Sequence, residues 1–303
     1  VADRQGSPRP APPIRFQRWS QIALGAPVLL VLAFIYVPIA VIAVLSFQGP
    51  QGGATFPLRD SGTLWYQSLT DLSVITEHTD YLGQAVFDFR KSIVNSLKLA
   101  ATTSVISTVI AMAAAQAMRT RFRGARITTY VILLGIVTPG LAISLGIVTL
   151  ASELGIRAGL FTTGIIAHVV WTMPFSFLVI MVLFNRFDRR VEEAAYTLGA
   201  SRLRAFFTVT LPMMKPAVIG SLLFAFMLSF DEYAHSIFIM GSDRTLPLTL
   251  VSAVQLRITP SIFALGVLII SASLLLLVAY VASVRRTFQQ WERTGVPGSV
   301  RSR

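Results

Sequence analysis

Six long apolar runs constrain this chain more than any other feature. They fall near residues 22–45, 93–118, 127–151, 160–184, 217–240 and 262–284. A bilayer's hydrocarbon core is about 30 Å thick, and a helix needs about 20 mostly apolar residues to cross it. A crossing segment must also satisfy its own backbone hydrogen bonds, which selects helices over loops and open strands. The alternating pattern of a membrane β-barrel is absent. The chain therefore reads as an all-α integral membrane protein with about six transmembrane helices. Only 13% of its 303 residues are charged, against about 25% in soluble domains.

Charge sets the expected orientation. The first run follows Arg4, Arg9, Arg15 and Arg18, an opening similar to that of a signal peptide. The run exceeds the roughly 7–15 apolar residues of such a peptide, and no A-x-A-like site follows, so it reads as an uncleaved first span. Pro8, Pro10, Pro12 and Pro13 mark residues 1–13 as a disordered tail. The N-terminal tail, the second-to-third connection, the fourth-to-fifth connection and the C-terminal tail together hold 19 of the 26 basic residues. Positive residues prefer the cytoplasmic side of short loops, which places both termini in the cytoplasm. The net charge of +12 is then a topology signal and gives no support to a nucleic-acid role. The expected organisation is a tail (1–18), a first span (19–46), an extracytoplasmic loop (47–92), a five-helix core (93–284) and a C-terminal tail (285–303). Within the outer loop, residues 64–72 read as a short interfacial helix, with Trp65 and Tyr66 suited to the headgroup region. With no cysteine and three scattered histidines, no metal site is expected.

The most informative stretch is residues 186–216, RFDRRVEEAAYTLGASRLRAFFTVTLPMMKP. It is too polar to span and too rich in helix formers to be a loose linker. A helix through Val191–Leu198 is expected to stop at Gly199, where a left-handed turn costs glycine little. A second short helix near Ser201–Thr208 is amphipathic, with Leu203, Phe206 and Phe207 able to share one face. An exposed apolar face of this kind suits a protein partner or the lipid surface.

Glu193-Ala194-Ala195, three residues, Gly199, nine residues, Val209, one residue and Leu211-Pro212 resemble the E-A-A-x3-G-x9-I-x-L-P loop of binding-protein-dependent ABC importer permeases. Only Val209 for isoleucine departs from it. Residues 95–118 resemble the opening span of that family's shared core. The resemblance implies a type I ABC importer permease (MetI-like) fold in a bacterial inner membrane. It also implies that Glu193, Ala194, Ala195, Gly199, Ala200, Ser201, Leu203, Arg204, Phe206 and Phe207 dock on an ATPase. The implied partners are a homologous second permease subunit, two cytoplasmic ATPase subunits and an extracytoplasmic solute-binding protein. The chain lacks a Walker A motif, so ATP and Mg would be bound by the ATPases and no cofactor by this chain.

Asp231 and Glu232 interrupt the fifth run. An ionisable residue within a span costs about 2.5–3.5 kcal/mol unless it finds water or a partner. The pair reads either as lining a wet pathway with Phe230, Tyr233 and His235, or as structural. His235 stands one turn from Asp231 and can pair with it; His168 reads as an interhelical hydrogen bonder. Residues 229–250, with Gly241 and Thr245-Leu246-Pro247, resemble spermidine/putrescine-type permeases, particularly their second permease subunit. That implies a linear polyamine as solute, with opines, other amines, aminophosphonates, ferric iron and sugars as alternatives. A secondary transporter would show inverted repeats, and a membrane enzyme a cluster of catalytic polar groups; the sequence displays neither.

Overall fold

In a computed structural model, the chain is described over residues 18–70, 89–119, 123–256 and 258–293. The disordered-tail reading of residues 1–13, the middle of the outer loop (71–88) and the end of the C-terminal tail (294–303) lie outside these residues. All described regular structure is helical.

The first run forms α1 (Arg18–Leu45), continuous despite Pro27 and Pro38. A short α2 (Leu64–Ser68) precedes α3 (Phe89–Met118). Pro139-Gly140 within the third run predicts a kinked span, but the break is larger: α4 (Ala125–Val137) and α5 (Gly140–Glu153) are bent by 102°. Thr138 is extended (ψ 126°), as a residue before proline prefers, and Pro139 is extended too. Two successive extended residues turn the chain rather than kink it. The fourth run forms a π turn, Leu160–Gly164, that continues into α6 (Ile165–Phe184), with Pro174 absorbed without a break.

Next come α7 (Arg190–Thr197) and α8 (Arg202–Ala205). The second of these runs on through a π turn, Phe206–Thr210, and α9 (Leu211–Met213). A bend of 71° leads into α10 (Lys215–Phe230). The fifth run is thus not one helix: α10 stops at Phe230, and a short α11 (Ser236–Ile239) follows. The last two helices are α12 (Leu246–Leu256) and α13 (Pro260–Arg293). Among the described residues four stretches are long and apolar enough to cross a membrane (25–45, 89–118, 160–184 and 260–282), and counting each of the two bent pairs as one span makes six.

The core is the mutual packing of α3, α6 and α10. In lipid no hydrophobic force drives helices together, so small residues and interhelical hydrogen bonds take over. α3 supplies both through a buried face of Ser92, Ser96, Ala100, Thr103, Ser107 and Ala111, spaced three or four apart. Ser107 pairs with Thr172 of α6 at 2.7 Å, Thr108 with Ser221 of α10 at 3.0 Å and Ser92 with Thr249 of α12 at 2.6 Å. Ser96 Oγ accepts the Leu246 N–H at 2.8 Å. At one end an apolar cluster of Met112, Phe177, Ile180, Phe184 and Met214 seals the bundle. In contrast, α1 packs chiefly on α13 and leaves its other faces open, with Phe34 83% exposed.

Residues 46–62 fold around buried Gln48. Its amide nitrogen donates to the carbonyls of Gly53, Thr55 and Pro57, and its oxygen accepts the Arg59 N–H at 2.8 Å. The reading of Trp65 as an interfacial anchor is corrected: it is only 1% exposed, so its ring is buried inside the fold. Tyr66 pairs with Ser46 through their hydroxyls at 2.7 Å.

Candidate functional site

The loop at the sealed end is built as a knob. α7 closes with a complete Schellman turn: the Ala200 N–H reaches the Ala195 carbonyl (3.0 Å) and the Gly199 N–H reaches that of Tyr196 (2.9 Å). Gly199 takes the required left-handed conformation, φ +85°. Ser201 caps the next helix, its hydroxyl accepting the Arg204 N–H at 3.3 Å. The turn leaves Leu198 88% exposed, Leu203 73% and Phe207 61%. Phe206 does not share that face, as the sequence suggested; it packs on the apolar cluster beneath, while Ala205 is buried. The chain runs through a π turn over Phe206–Thr210, and adjacent residues of a helix point about 100° apart, so the two phenylalanines divide between the outer surface and the bundle.

Beneath the knob sits Glu192, which the sequence reading passed over. Its carboxylate Oε1 accepts a bond from Arg119 Nη1 at 2.8 Å and a second from the Thr210 hydroxyl. Arg119 is the residue after α3, and its guanidinium lies 4.8 Å from the Phe184 ring centre and 4.7 Å from that of Phe187. The Arg189 side chain donates to the Arg119 carbonyl. Burial pushes the Glu192 carboxyl up, but the bonds from Arg119 and Thr210 and the charges of Arg119 and Arg189 outweigh it and hold it below the usual range. Glu193, its neighbour, is exposed. The available signal was two acids in the first turn of an eight-residue helix, of which only one can face the bundle.

The second site is the break after α10. Glu232, not Asp231, pairs with His235: Oε1 lies 2.9 Å from the ring Nδ1 and also accepts the His235 backbone N–H at 2.9 Å. His168 bridges the break from α6, with Nδ1 2.8 Å from Ser229 Oγ and Nε2 3.2 Å from Ser236 Oγ, which is the interhelical role expected of it. The His235 ring lies 5.0 Å from that of Trp171. It also presses on Gly140, where a Cβ would stand 2.4 Å from the imidazole. The breaks in the third and fifth runs are therefore interlocked, and only glycine fits at the contact.

The five residues read as a pathway do not form one surface. Glu232 and His235 belong to the buried cluster, and Asp231 is exposed at the end of α10. Phe230 stacks on Phe226 (5.9 Å between centres), and the two line an apolar cavity of about 670 Å³ with Met227 and Leu265. Tyr233 is half-buried. Among the described residues no group of three or more His, Asp or Glu side chains is arranged to hold a metal ion.

The segment Gly241–Pro247 has a structural task. A Cβ on Gly241 (φ +56°) would stand 2.3 Å from the Ala158 carbonyl. Asp243 accepts the Leu160 N–H at 2.9 Å, and the Leu246 N–H is the one held by Ser96. These bonds pin the connection onto α3 and the start of the fourth run.

Comparisons with known proteins bear on this arrangement. The family model for "binding-protein-dependent transport system inner membrane component" matches residues 107–289. The spermidine/putrescine transport system permease protein PotC of Haemophilus influenzae is 30% identical over 250 residues, 82% of this chain and 91% of that protein. The putrescine transport system permease protein PotI of Escherichia coli is 32% identical over 253 residues, covering 80% and 84%. Among solved structures, a bacterial ABC transporter involved in the import of the acidic polysaccharide alginate superposes with a TM-score of 0.64 at 18% identity. It covers 93% of this chain and all of that one.

Proposed function

We infer the role of this chain from a premise the family match supplies: it belongs to the family of inner membrane components of binding-protein-dependent transport systems. It is a multi-pass inner-membrane permease subunit of an ABC importer. The knob at Leu198, Leu203 and Phe207 carries the mechanism, because large apolar side chains held this far out by a capped, rigid turn need a surface to bury against. We assign that surface to a cytoplasmic ATPase subunit, with Glu193, Ala194, Gly199, Ala200 and Ser201 shaping the contact. ATP and Mg belong to the ATPases. This orientation puts both termini in the cytoplasm, in keeping with the basic loops.

Closure of two ATPases on ATP moves the knob, and α10, which follows it after a single bend, moves with it. Such a switch needs contacts that differ between two states. A solute-binding protein delivers cargo at the opposite face, and a homologous second permease completes the passage. We assign the cargo to the polyamines, supported by the names of the relatives and by exposed Asp231, a carboxylate suited to a linear cation.

The test is reconstitution with the neighbouring transport genes. The ATPase should co-purify with the wild-type permease, and radiolabelled putrescine should enter ATP-loaded vesicles. Uptake by vesicles containing this chain alone would refute the coupling role. Uptake blocked by excess opine or sugar but not by spermidine would refute the polyamine assignment.

A further inference from the structure

We propose that Arg119, Glu192 and Thr210 form a clamp that makes α3, and not α10 alone, a lever arm of the coupling knob. The inference rests on the coupling role above and adds a second route for its motion. The three residues come from separate segments: the end of α3, the first turn of α7 and the rod that leads from the knob to α10. One carboxylate oxygen gathers both bonds, from Arg119 Nη1 and from the Thr210 hydroxyl. Glu192 is 7% exposed and Thr210 fully buried, so neither bond competes freely with water. Arg119 is held in turn by the rings of Phe184 and Phe187 at the end of α6 and by Gln116 at 3.1 Å.

α3 is the centre of the bundle. Its hydroxyl-lined face bonds to α6, α10 and, at two points, α12. A displacement of the knob delivered to Arg119 therefore reaches the whole core through one stiff helix. Without the clamp what remains is the 71° bend at Met214 and the apolar packing of Phe206 on the cluster beneath, contacts that can slide and have no fixed direction. The geometry also divides two adjacent acids: Glu192 works inward on the clamp, and Glu193 is free to meet a partner.

These are positioning residues, and their signature is a ratio. A variant that merely destabilises the permease lowers ATP hydrolysis and transport together. A loosened clamp lets hydrolysis proceed while transport falls. Thr210→Val removes a single hydroxyl, Thr210→Ser restores it, and Glu192→Gln removes the charge. In the reconstituted complex, ATP hydrolysed per radiolabelled putrescine taken up should rise about fivefold or more in Thr210→Val and Glu192→Gln, the low end of ordinary coupling free energies. It should stay at the wild-type value in Thr210→Ser, with the ATPase retained in every case. Wild-type ratios in both disruptive variants overturn the clamp.

The chain has no native cysteine, so spin labels at Ala113 and Thr208 report the same joint without cargo. One narrow distance is expected in wild type with and without trapped nucleotide, and a broad distribution in Thr210→Val. Equal widths in the two proteins also overturn the clamp. Failure of the wild-type permease to retain any ATPase would instead strike the coupling role itself, and failure to take up putrescine only the cargo.

Discussion

Two pairs of adjacent acids, Glu192–Glu193 and Asp231–Glu232, solve the same problem in different surroundings. In each pair one carboxylate is drawn into the fold and the other is left outside. In the loop the inward acid meets a full cation, Arg119, stacked on two rings and joined by a hydroxyl. At the break after α10 the inward acid meets an imidazole and a backbone N–H. Near the water interface a guanidinium is a partner that can be brought in already charged. Within the bundle the chain uses a weaker base and the free N–H groups at a helix start. Sequence adjacency therefore says little about role, since successive residues point in different directions and the distant partner decides which is kept.

The largest test of the contrast is Glu192→Ala, which leaves Arg119 buried without its counter-ion. Removing one member of a buried pair costs about 3 kcal/mol or more, so the melting temperature in detergent should fall sharply, while Glu193→Ala should leave it unchanged. Equal effects would dissolve the inward–outward distinction. Gly199→Val comes next. Space is open around Gly199, so its cost is conformational, about 1–2 kcal/mol for a left-handed residue with a side chain. The protein should insert normally and lose ATPase binding, read by co-purification.

At the second pair, Glu232→Gln should cost about 1 kcal/mol through its weakened contact with His235. Asp231→Asn should stay within about 0.5 kcal/mol of wild type, as exposed substitutions do, yet reduce putrescine uptake. A stable Glu232→Gln protein and an unstable Asp231→Asn protein would reverse the assignment. The smallest effect is one of pH. Because the Glu192 carboxyl is held low in the folded chain, its stabilisation is complete above the unfolded carboxylate range and is lost as pH falls through the folded value. The gap in melting temperature between wild type and Glu192→Gln should be flat near neutrality and close on acidification.

Much of this was legible in the chain. Six apolar runs announced the spans, and the spacing from Glu193 to Pro212 announced the knob and its glycine turn. The 102° break was not legible, because a run that crosses straight and one that folds back have the same composition; Pro139 signalled only a bend. The end of α10 at Phe230 was half legible in Asp231 and Glu232, whereas the choice of Glu232 as His235's partner depended on local turn geometry. Glu192 was hidden because its partner Arg119 lies 73 residues away. Phe206 was misplaced because amphipathic spacing does not say which of two adjacent aromatics meets the bundle; the apolar cluster beneath takes Phe206 and leaves Phe207 outside. Trp65 shows the limit of compositional rules, since an aromatic fit for the headgroup region was instead buried.

The early stop of α10 has an electrical consequence. Its 16 residues cover about 24 Å, less than the thickness of a hydrocarbon layer. The negative pole of its peptide dipoles falls beside the side chain of Asp231, the residue that caps the helix. A cation placed there would meet both the side-chain charge and the terminal carbonyls, an attraction that would persist in part with the carboxylate neutralised.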